Sequence, residues 1–379
     1  MGGLVLANGR KILVSQLKQY KLCRRCLERH GVSPRIKPSE PCYICRGLME
    51  NLDTITDRIL SAIRKYQFNT FLIGAILPTQ AYEREDAMRA RLKIRGRESI
   101  KNHLTRELGI RLAKSAKRKV DYLRPDLTIS LAIDKDNCVD VTTKSRPLVF
   151  LGRYIKKQSG LPQKQGKCAD CDGKGCSICD HSGLSGYESV EGVIAKKVIA
   201  ITKGQTPKFS WIGSEDQKSL VLGKGRPFYA RIHDPQKRNL KKIRIKSRMI
   251  ESILSVKDEM PDTQSRFTVK TRIQVRCEKS PGRQDLKRLT SLSGSEVSFQ
   301  NRSKTGTKKI YSARVRPIDS KNFYLTIIAE GGLMIKQFVG GEEYMKPNIS
   351  EILNTKCECV TFDILDVQFQ DSPYFREIQ

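Results

Sequence analysis

The chain has 379 residues, of which 71 are Lys or Arg and 40 are Asp or Glu, giving a formal net charge of +31. A positive excess spread along the whole sequence calls for a polyanionic partner, nucleic acid before any other. A membrane-spanning protein is excluded, because the longest apolar stretch, around residues 68–77, falls far short of the ~20 residues a spanning helix needs.

The first residues carry no secretory pattern, and Leu6 stands where a myristoylation site wants Ser or Thr, so a cytoplasmic protein is expected. Twelve cysteines in a reducing compartment, eight of them in C-x-x-C pairs, argue for metal sites before disulfides. Cys23-Arg-Arg-Cys26 and Cys42-Tyr-Ile-Cys45 are separated by fifteen residues. Each pair can grip one ion from a tight turn, and the loop brings the second pair round to close a tetrahedron. That shell suits structural Zn²⁺, with free thiols or a disulfide as the alternatives.

Leu48, Leu52, Ile55, Ile59 and Ile63 recur at steps of three and four and predict a helix. Residues 69–77 read as a buried strand that stops at Pro78. Residues 89–119 hold twelve basic side chains against Glu98 and Glu107, on a helical pattern around Ile100, Leu104 and Leu108. A solvated helix face is the ordinary meaning of such a run, yet the imbalance of sign exceeds what solubility asks for. Residues 127–133 and 147–151 read as strands. Between residues 144 and 167 there are seven basic residues and no acidic one, with Phe150 and Tyr154 interleaved. A strand and basic loop of this kind suit a groove tracking a phosphate backbone.

A second cluster, Cys168-Ala-Asp-Cys171-Asp-Gly-Lys-Gly-Cys176-Ser-Ile-Cys179, is a tight knuckle with only four residues between its pairs. Zinc is again expected, against a vacant site or an iron–sulfur cluster. His181 reads as a solvated loop residue, and Cys138, Cys277, Cys357 and Cys359 as small residues of strand-like runs. Beyond the knuckle, residues 190–201 and 209–212 read as strands, followed by a strand from residue 229. Residues 237–248 hold seven basic side chains and no acidic one. Further strands are expected at 265–277, 311–315, 323–329 and 360–370, with helices near 285–292 and 349–353. The fold class is α+β and multidomain. Its expected parts are a zinc-binding module and helix over 1–66, a small α/β RNA-binding domain over 67–163, a Cys₄ zinc knuckle over 164–187, and a mixed-sheet domain over 188–379.

Chemistry is sparse by motif. His30, His103, His181 and His233 stand far apart, and there is no G-x-S-x-G, Walker loop or paired carboxylate. Gly223-Lys-Gly225 lacks the third glycine of a dinucleotide turn, since Phe228 occupies that position. What remains is Gly213-Ser-Glu-Asp216, a carboxylate in a Gly-led turn followed by Leu222-Gly-Lys-Gly-Arg-Pro-Phe228. Composition alone favours a solvated turn over a catalytic one there.

These two strings resemble the catalytic signature of the archaeal and eukaryotic tRNA pseudouridine synthases that carry an N-terminal THUMP-containing domain. The likeness extends to both early C-x-x-C pairs, to residues 147–163, to the Cys168–Cys179 knuckle, and to Gly332-Leu-Met-Ile-Lys336-Gln-Phe-Val-Gly-Gly341. It implies a THUMP-like α/β domain followed by a pseudouridine-synthase catalytic domain. It also implies Asp216 as nucleophile on a flipped-out uridine, at position 54 or 55 of the TΨC loop, with tRNA as partner. No catalytic cofactor and a monomeric state are expected.

Met334, Ile335 and Lys336 fall in the family's G-T-Y-I-K-E-F strand, where Met334 replaces a Tyr that stacks on the target base. Arg272 falls at the other active-site Tyr, while Arg226, Arg153 and Tyr154 lie in matched stretches and complete the expected substrate-binding set. The family Arg before Glu-Asp is Ser214 here, and its downstream D-V-R reads Lys218-Ser219-Leu220. The thinned site leaves a rival reading, a catalytically weakened or inactive homologue that binds and folds tRNA. A THUMP-bearing methylase or thiolase is disfavoured by the missing nucleotide loop.

Overall fold

The computed structural model describes residues 15–17, 19–32, 41–257, 259, 266–301, 304–341 and 344–369. They divide into two compact units, one comprising residues up to Arg146 together with Asp234–Arg238, the other Pro147–His233 with the chain from Asn239 onward.

In the first unit, α1 (Arg24–Arg29) and α2 (Leu52–Ile63) precede β1 (Thr70–Ile76), α3 (Thr79–Arg91) and α4 (Ile100–Ala116), with β2 (Lys119–Val120), β3 (Leu127–Ile133) and β4 (Val139–Ser145) completing a sheet of order β2-β1-β3-β4. β1 runs parallel to β2 and β3, and β4 is antiparallel to β3. Of the residues that predicted a helix, Leu52, Ile55, Ile59 and Ile63 lie on α2 with buried side chains, whereas Leu48 falls in a separate 3-10 turn, Leu48–Glu50, just before it. They enter one continuous core running from Leu17, through the four cysteines, to Ile133. The expected border at 66/67 therefore has no counterpart in the packing. Arg29 fuses the parts further: its guanidinium pairs at 2.7 Å with Glu85 of α3, and the other Glu85 oxygen accepts the Ile100 N–H that starts α4.

The second unit is built on an eleven-stranded mixed sheet among the described residues. Its strands are β5 (Leu148–Lys156), β6 (Lys208–Trp211), β7 (Val221–Ile232), β8 (Ile243–Lys246), β9 (Ile250–Lys257), β10 (Phe267–Cys277), β11 (Glu296–Asn301), β12 (Lys304–Pro317), β13 (Asn322–Glu330), β14 (Met345–Lys346) and β15 (Cys357–Phe369). The order is β14-β11-β12-β13-β10-β15-β7-β5-β9-β8, with β6 on β7. Helices α5 (Val190–Thr202), α6 (Arg283–Arg288), α7 (Ile335–Gly340) and α8 (Ile349–Ile352) accompany it. The border expected at 163/164 lies instead at 146/147, because β5 pairs along its length with β7 and β9. The knuckle belongs to this same unit.

Two sequence expectations are corrected. Residues 190–201 form a helix, not a strand. Val190, Ile194, Ala195 and Val198 are buried at helical spacing, and the Ser189 hydroxyl accepts the Gly192 N–H at 2.8 Å as an N-cap. The β-branched content concealed that period. Met334 is not in a strand either. β13 ends at Glu330, Gly332 takes φ +92°, and Met334 becomes the residue that opens α7. Cys277 and Cys357 are buried cross-strand neighbours, their sulfurs 3.2 Å apart.

Candidate active site

The turn that carries Asp216 hangs from β6. Trp211 ends that strand inside an aromatic cluster, edge-on to Tyr154 at 5.6 Å and tilted against Phe228 at 5.4 Å between ring centroids. Such a rigid base fixes where the next residues leave the sheet. Gly213 then adopts φ +76°, and a Cβ there would collide with the Arg226 guanidinium. Only glycine serves at this position.

Glu215 turns inward, its side chain fully buried. Its Oε1 lies 3.0 Å from Lys156 Nζ, also fully buried, and its Oε2 accepts the Tyr154 hydroxyl at 2.6 Å. Arg226 approaches the same carboxylate at 3.7 Å and donates through Nε to the Ile212 carbonyl. Lys156 reaches past Glu215 to donate to the carbonyls of Asp216 and Gln217, both at 3.2 Å, and of Leu161 at 3.1 Å. The buried ammonium thus ties down the backbone of the turn itself.

Asp216 turns outward and keeps a quarter of its side-chain surface, 24 %. It pairs through Oδ2 with Lys336 and accepts the Lys218 N–H on Oδ1 at 2.9 Å. Burial pushes its pKa up, but the Lys336 ammonium, the Lys218 amide and the charge of Lys156 together hold it below the ordinary carboxylate value. The result is a partly exposed anion at neutral pH. It faces a cavity of about 360 Å³ walled by Phe267, Phe362, Ile327, Ile364 and Met334, a size within the usual range for small-molecule sites. The Asp216–Lys336 pair at the edge of an apolar wall can take a planar, uncharged ring with polar edges.

The structure therefore brings together Asp216, Arg226, Met334, Ile335 and Lys336 from the expected set. It does not bring in Arg153, Tyr154 or Arg272. Tyr154 is buried beneath Glu215, and Arg153 donates to the carbonyls of Gly225 and Val367. On β10 it is Thr271 that faces the cavity, while Arg272 pairs with Asp363 of β15 at 2.9 Å and lies over the Tyr324 ring. Asp363 in turn accepts the Leu220 N–H, so Arg272 braces the chain that follows the turn carrying Asp216. Lys156 and Glu215 were missed. The available signal was phase: Phe150, Gly152, Tyr154 and Lys156 alternate onto the buried face of β5, and a lysine there needs a buried anion.

Lys336→Met is expected to move the acid limb of the single-turnover pH–rate profile to higher pH. Its loss leaves burial, which favours the neutral acid, less opposed. An acid limb that stays in place would show that Lys336 does not set the ionisation of Asp216.

Both cysteine clusters can hold a tetrahedral metal such as zinc. Within each, the four sulfurs lie within 4.8 Å of one another. Pairs at 3.6 Å (Cys23–Cys45), 3.8 Å (Cys171–Cys179) and 3.7 Å (Cys176–Cys179) match the roughly 3.8 Å edge that Zn–S bonds of about 2.3 Å demand. In the knuckle, the N–H groups of Gly175, Cys176 and Gly183 donate to sulfur, and the Cys176 amide leads in holding the Cys179 thiol down at about 6. Among the described residues no carboxylate or histidine joins either cluster. His30 is buried, donates to the Cys26 carbonyl, and burial drops its pKa to about 4. Protein carrying Cys23→Ser and Cys26→Ser is expected to lose one equivalent of metal in elemental analysis and to melt earlier, because those sulfurs sit within the first unit's core. Unchanged metal content would refute the site.

The fold and site define an α+β protein with a partly exposed carboxylate, paired with a lysine, at the mouth of a largely apolar cavity of small-molecule size. Residues 149–368 match the family model "Pus10, C-terminal", and residues 55–132 match "Pus10 THUMP domain, archaeal". A protein of Nitrosopumilus maritimus named tRNA pseudouridine synthase Pus10 is 34% identical over 93% of this chain and 96% of its own length. A protein of the same name from Cenarchaeum symbiosum is 33% identical over 88% of this chain and 82% of its own. A solved structure titled "Crystal Structure of a Cbf5-Nop10-Gar1 Complex" superposes with a TM-score of 0.33 at 10% identity, covering 58% of this chain and 50% of that one, too weak a likeness to define a fold. The chain belongs to the Pus10 family of tRNA pseudouridine synthases.

Proposed function

We propose that the chain isomerises uridine to pseudouridine at position 54, position 55 or both in the TΨC loop of tRNA, with Asp216 as the nucleophile. The observation that carries this reading is the Asp216 carboxylate, held ionised by Lys336 at the mouth of an apolar cavity. The target nucleotide leaves its stack and enters the cavity. The carboxylate attacks C1′ and forms a glycosyl ester as the N1–C1′ bond breaks, and the freed base rotates. C5 then bonds to C1′, C5 loses its proton, N1 gains one, and Asp216 is released. Reactant and product are isomers, so no redox partner or added group is needed. Met334, at the cavity wall, offers a thioether for the uracil face where the family has a ring. Structural zinc in both Cys₄ clusters would hold the loops that frame each unit. The enzyme acts as a monomer in the cytoplasm, where tRNA is.

The direct test incubates wild type and Asp216→Ala with unmodified tRNA transcripts and maps pseudouridine by carbodiimide primer extension. Product at 54 or 55 from wild type alone is expected. Product from neither protein, with tRNA still bound, would replace this reading with a tRNA-binding protein that has lost turnover. Product elsewhere in the tRNA would overturn the positional assignment.

A further inference from the structure

The second unit leaves one sheet face open, and its side chains repeat a pattern. β5, β9 and β8 lie side by side, with β8 at the edge. Arg153, Ile253 and Arg244 stand in one cross-strand row, and Ile155, Glu251 and Lys246 in the next. Alternate residues share a face, and the opposite phase of these strands, including Tyr154, Ser252, Leu254 and Ile245, is buried. Lys224 of β7 completes the rim of a shallow cavity of about 180 Å³ on the open side.

Charge on this face is nearly all of one sign. Lys224, Arg244 and Lys246 are exposed and lie within 4 Å of no carboxylate among the described residues. Glu251, the acid among them, is paired with Lys157, whose hydrogen bond and charge lead in lowering its pKa, and it feels Lys246 across the strands only through charge. The isoleucines between the cations stay accessible, Ile253 at 39%. An edge strand studded with lysine also discourages sheet-to-sheet pairing, but that purpose does not require a concave apolar floor. Residues two apart on a strand are separated by about 6.6 Å, close to the step between successive phosphates of a nucleic-acid backbone. Cations at that pitch over an apolar floor suit phosphodiesters with their sugars and base edges below.

We propose that this open face is a second RNA-contact surface, on which Lys224, Arg244 and Lys246 take backbone phosphates of the substrate tRNA away from the reacting uridine. It shares no lining residue with the Asp216 cavity. By alternation along β5, Arg153 and Ile155 point away from Lys156, which serves the catalytic turn. The identity of the nucleic acid rests on the proposed function.

The test is the triple variant Lys224→Ala/Arg244→Ala/Lys246→Ala in the full chain, with a full-length unmodified tRNA transcript as probe. Expected are a 10- to 100-fold weaker Kd at about 0.1 M salt, a log Kd against log salt slope smaller by about two to three, and single-turnover rates at saturating tRNA within about twofold of wild type. The conservative set Lys224→Arg/Arg244→Lys/Lys246→Arg should bind as wild type, and an unchanged melting temperature excludes misfolding. An unchanged Kd and slope would overturn the proposal; unchanged tRNA binding with lost retention of a polyglutamate peptide would overturn it in favour of an acidic protein partner. If wild type makes no pseudouridine while the triple variant still loses tRNA, the catalytic reading fails and this surface stands. Pseudouridine formation with tRNA binding untouched by the triple variant fails the surface alone.

Discussion

Asp216→Asn is expected to lower single-turnover pseudouridine formation by more than about 10³-fold, at least about 4 kcal/mol of barrier, while leaving tRNA affinity within about twofold. The amide keeps the shape of the carboxylate, and its oxygen can still accept the Lys218 N–H. What it lacks is the negative charge that makes the carboxylate oxygen a nucleophile toward the nucleoside and that pairs with Lys336. Affinity should hold because RNA binding is dominated by phosphate contacts, and a net charge of +31 supplies many of them. An Asn variant retaining a tenth of the wild-type rate would place the nucleophile on another side chain.

The carboxylate itself was legible in the sequence only through the company it keeps. Gly213-Ser-Glu-Asp216 alone reads as a solvated turn, and it is the Gly-Lys-Gly-Arg-Pro-Phe run after it that marks the site. The structure supplies the reason. Gly225 sits at φ +78° with Tyr154 O so close that a Cβ would fall 2.7 Å away, and Arg226 and Phe228 pack directly under the turn. The cysteine clusters were legible because ligand spacing is a local property. Lys156 was not, because its meaning depends on which face of β5 is buried, and that is decided by β7, β9 and α5, remote in sequence. The same dependence concealed the 146/147 border: residues 147–156 look like the end of the first domain until their sheet partners are known. Residues 190–201 failed differently. Val and Ile at helical spacing are ambiguous locally, and the Ser189 cap three residues before Gly192 was the overlooked sign.

Lys156→Met is expected to destabilise the second unit by about 3–5 kcal/mol, since it leaves the Glu215 carboxylate buried without its nearest cation. For a unit of this size that is a fall in Tm on the order of 10 °C. Arg226, whose Nη1 lies 3.7 Å from Glu215 Oε2, offsets only part of that loss unless it moves closer. Adding Glu215→Gln removes the stranded charge while keeping an acceptor for the Tyr154 hydroxyl, so the double variant Lys156→Met/Glu215→Gln should regain part of the lost stability. Turnover should not return with it. The carbonyls of Asp216, Gln217 and Leu161 have lost their common donor in both variants, and the turn that aims Asp216 is no longer fixed. Melting temperature and single-turnover rate, measured on the same three proteins, separate the two roles. Recovery of both together would reduce Lys156 to a partner for Glu215, and recovery of stability alone would identify it as the residue that positions Asp216.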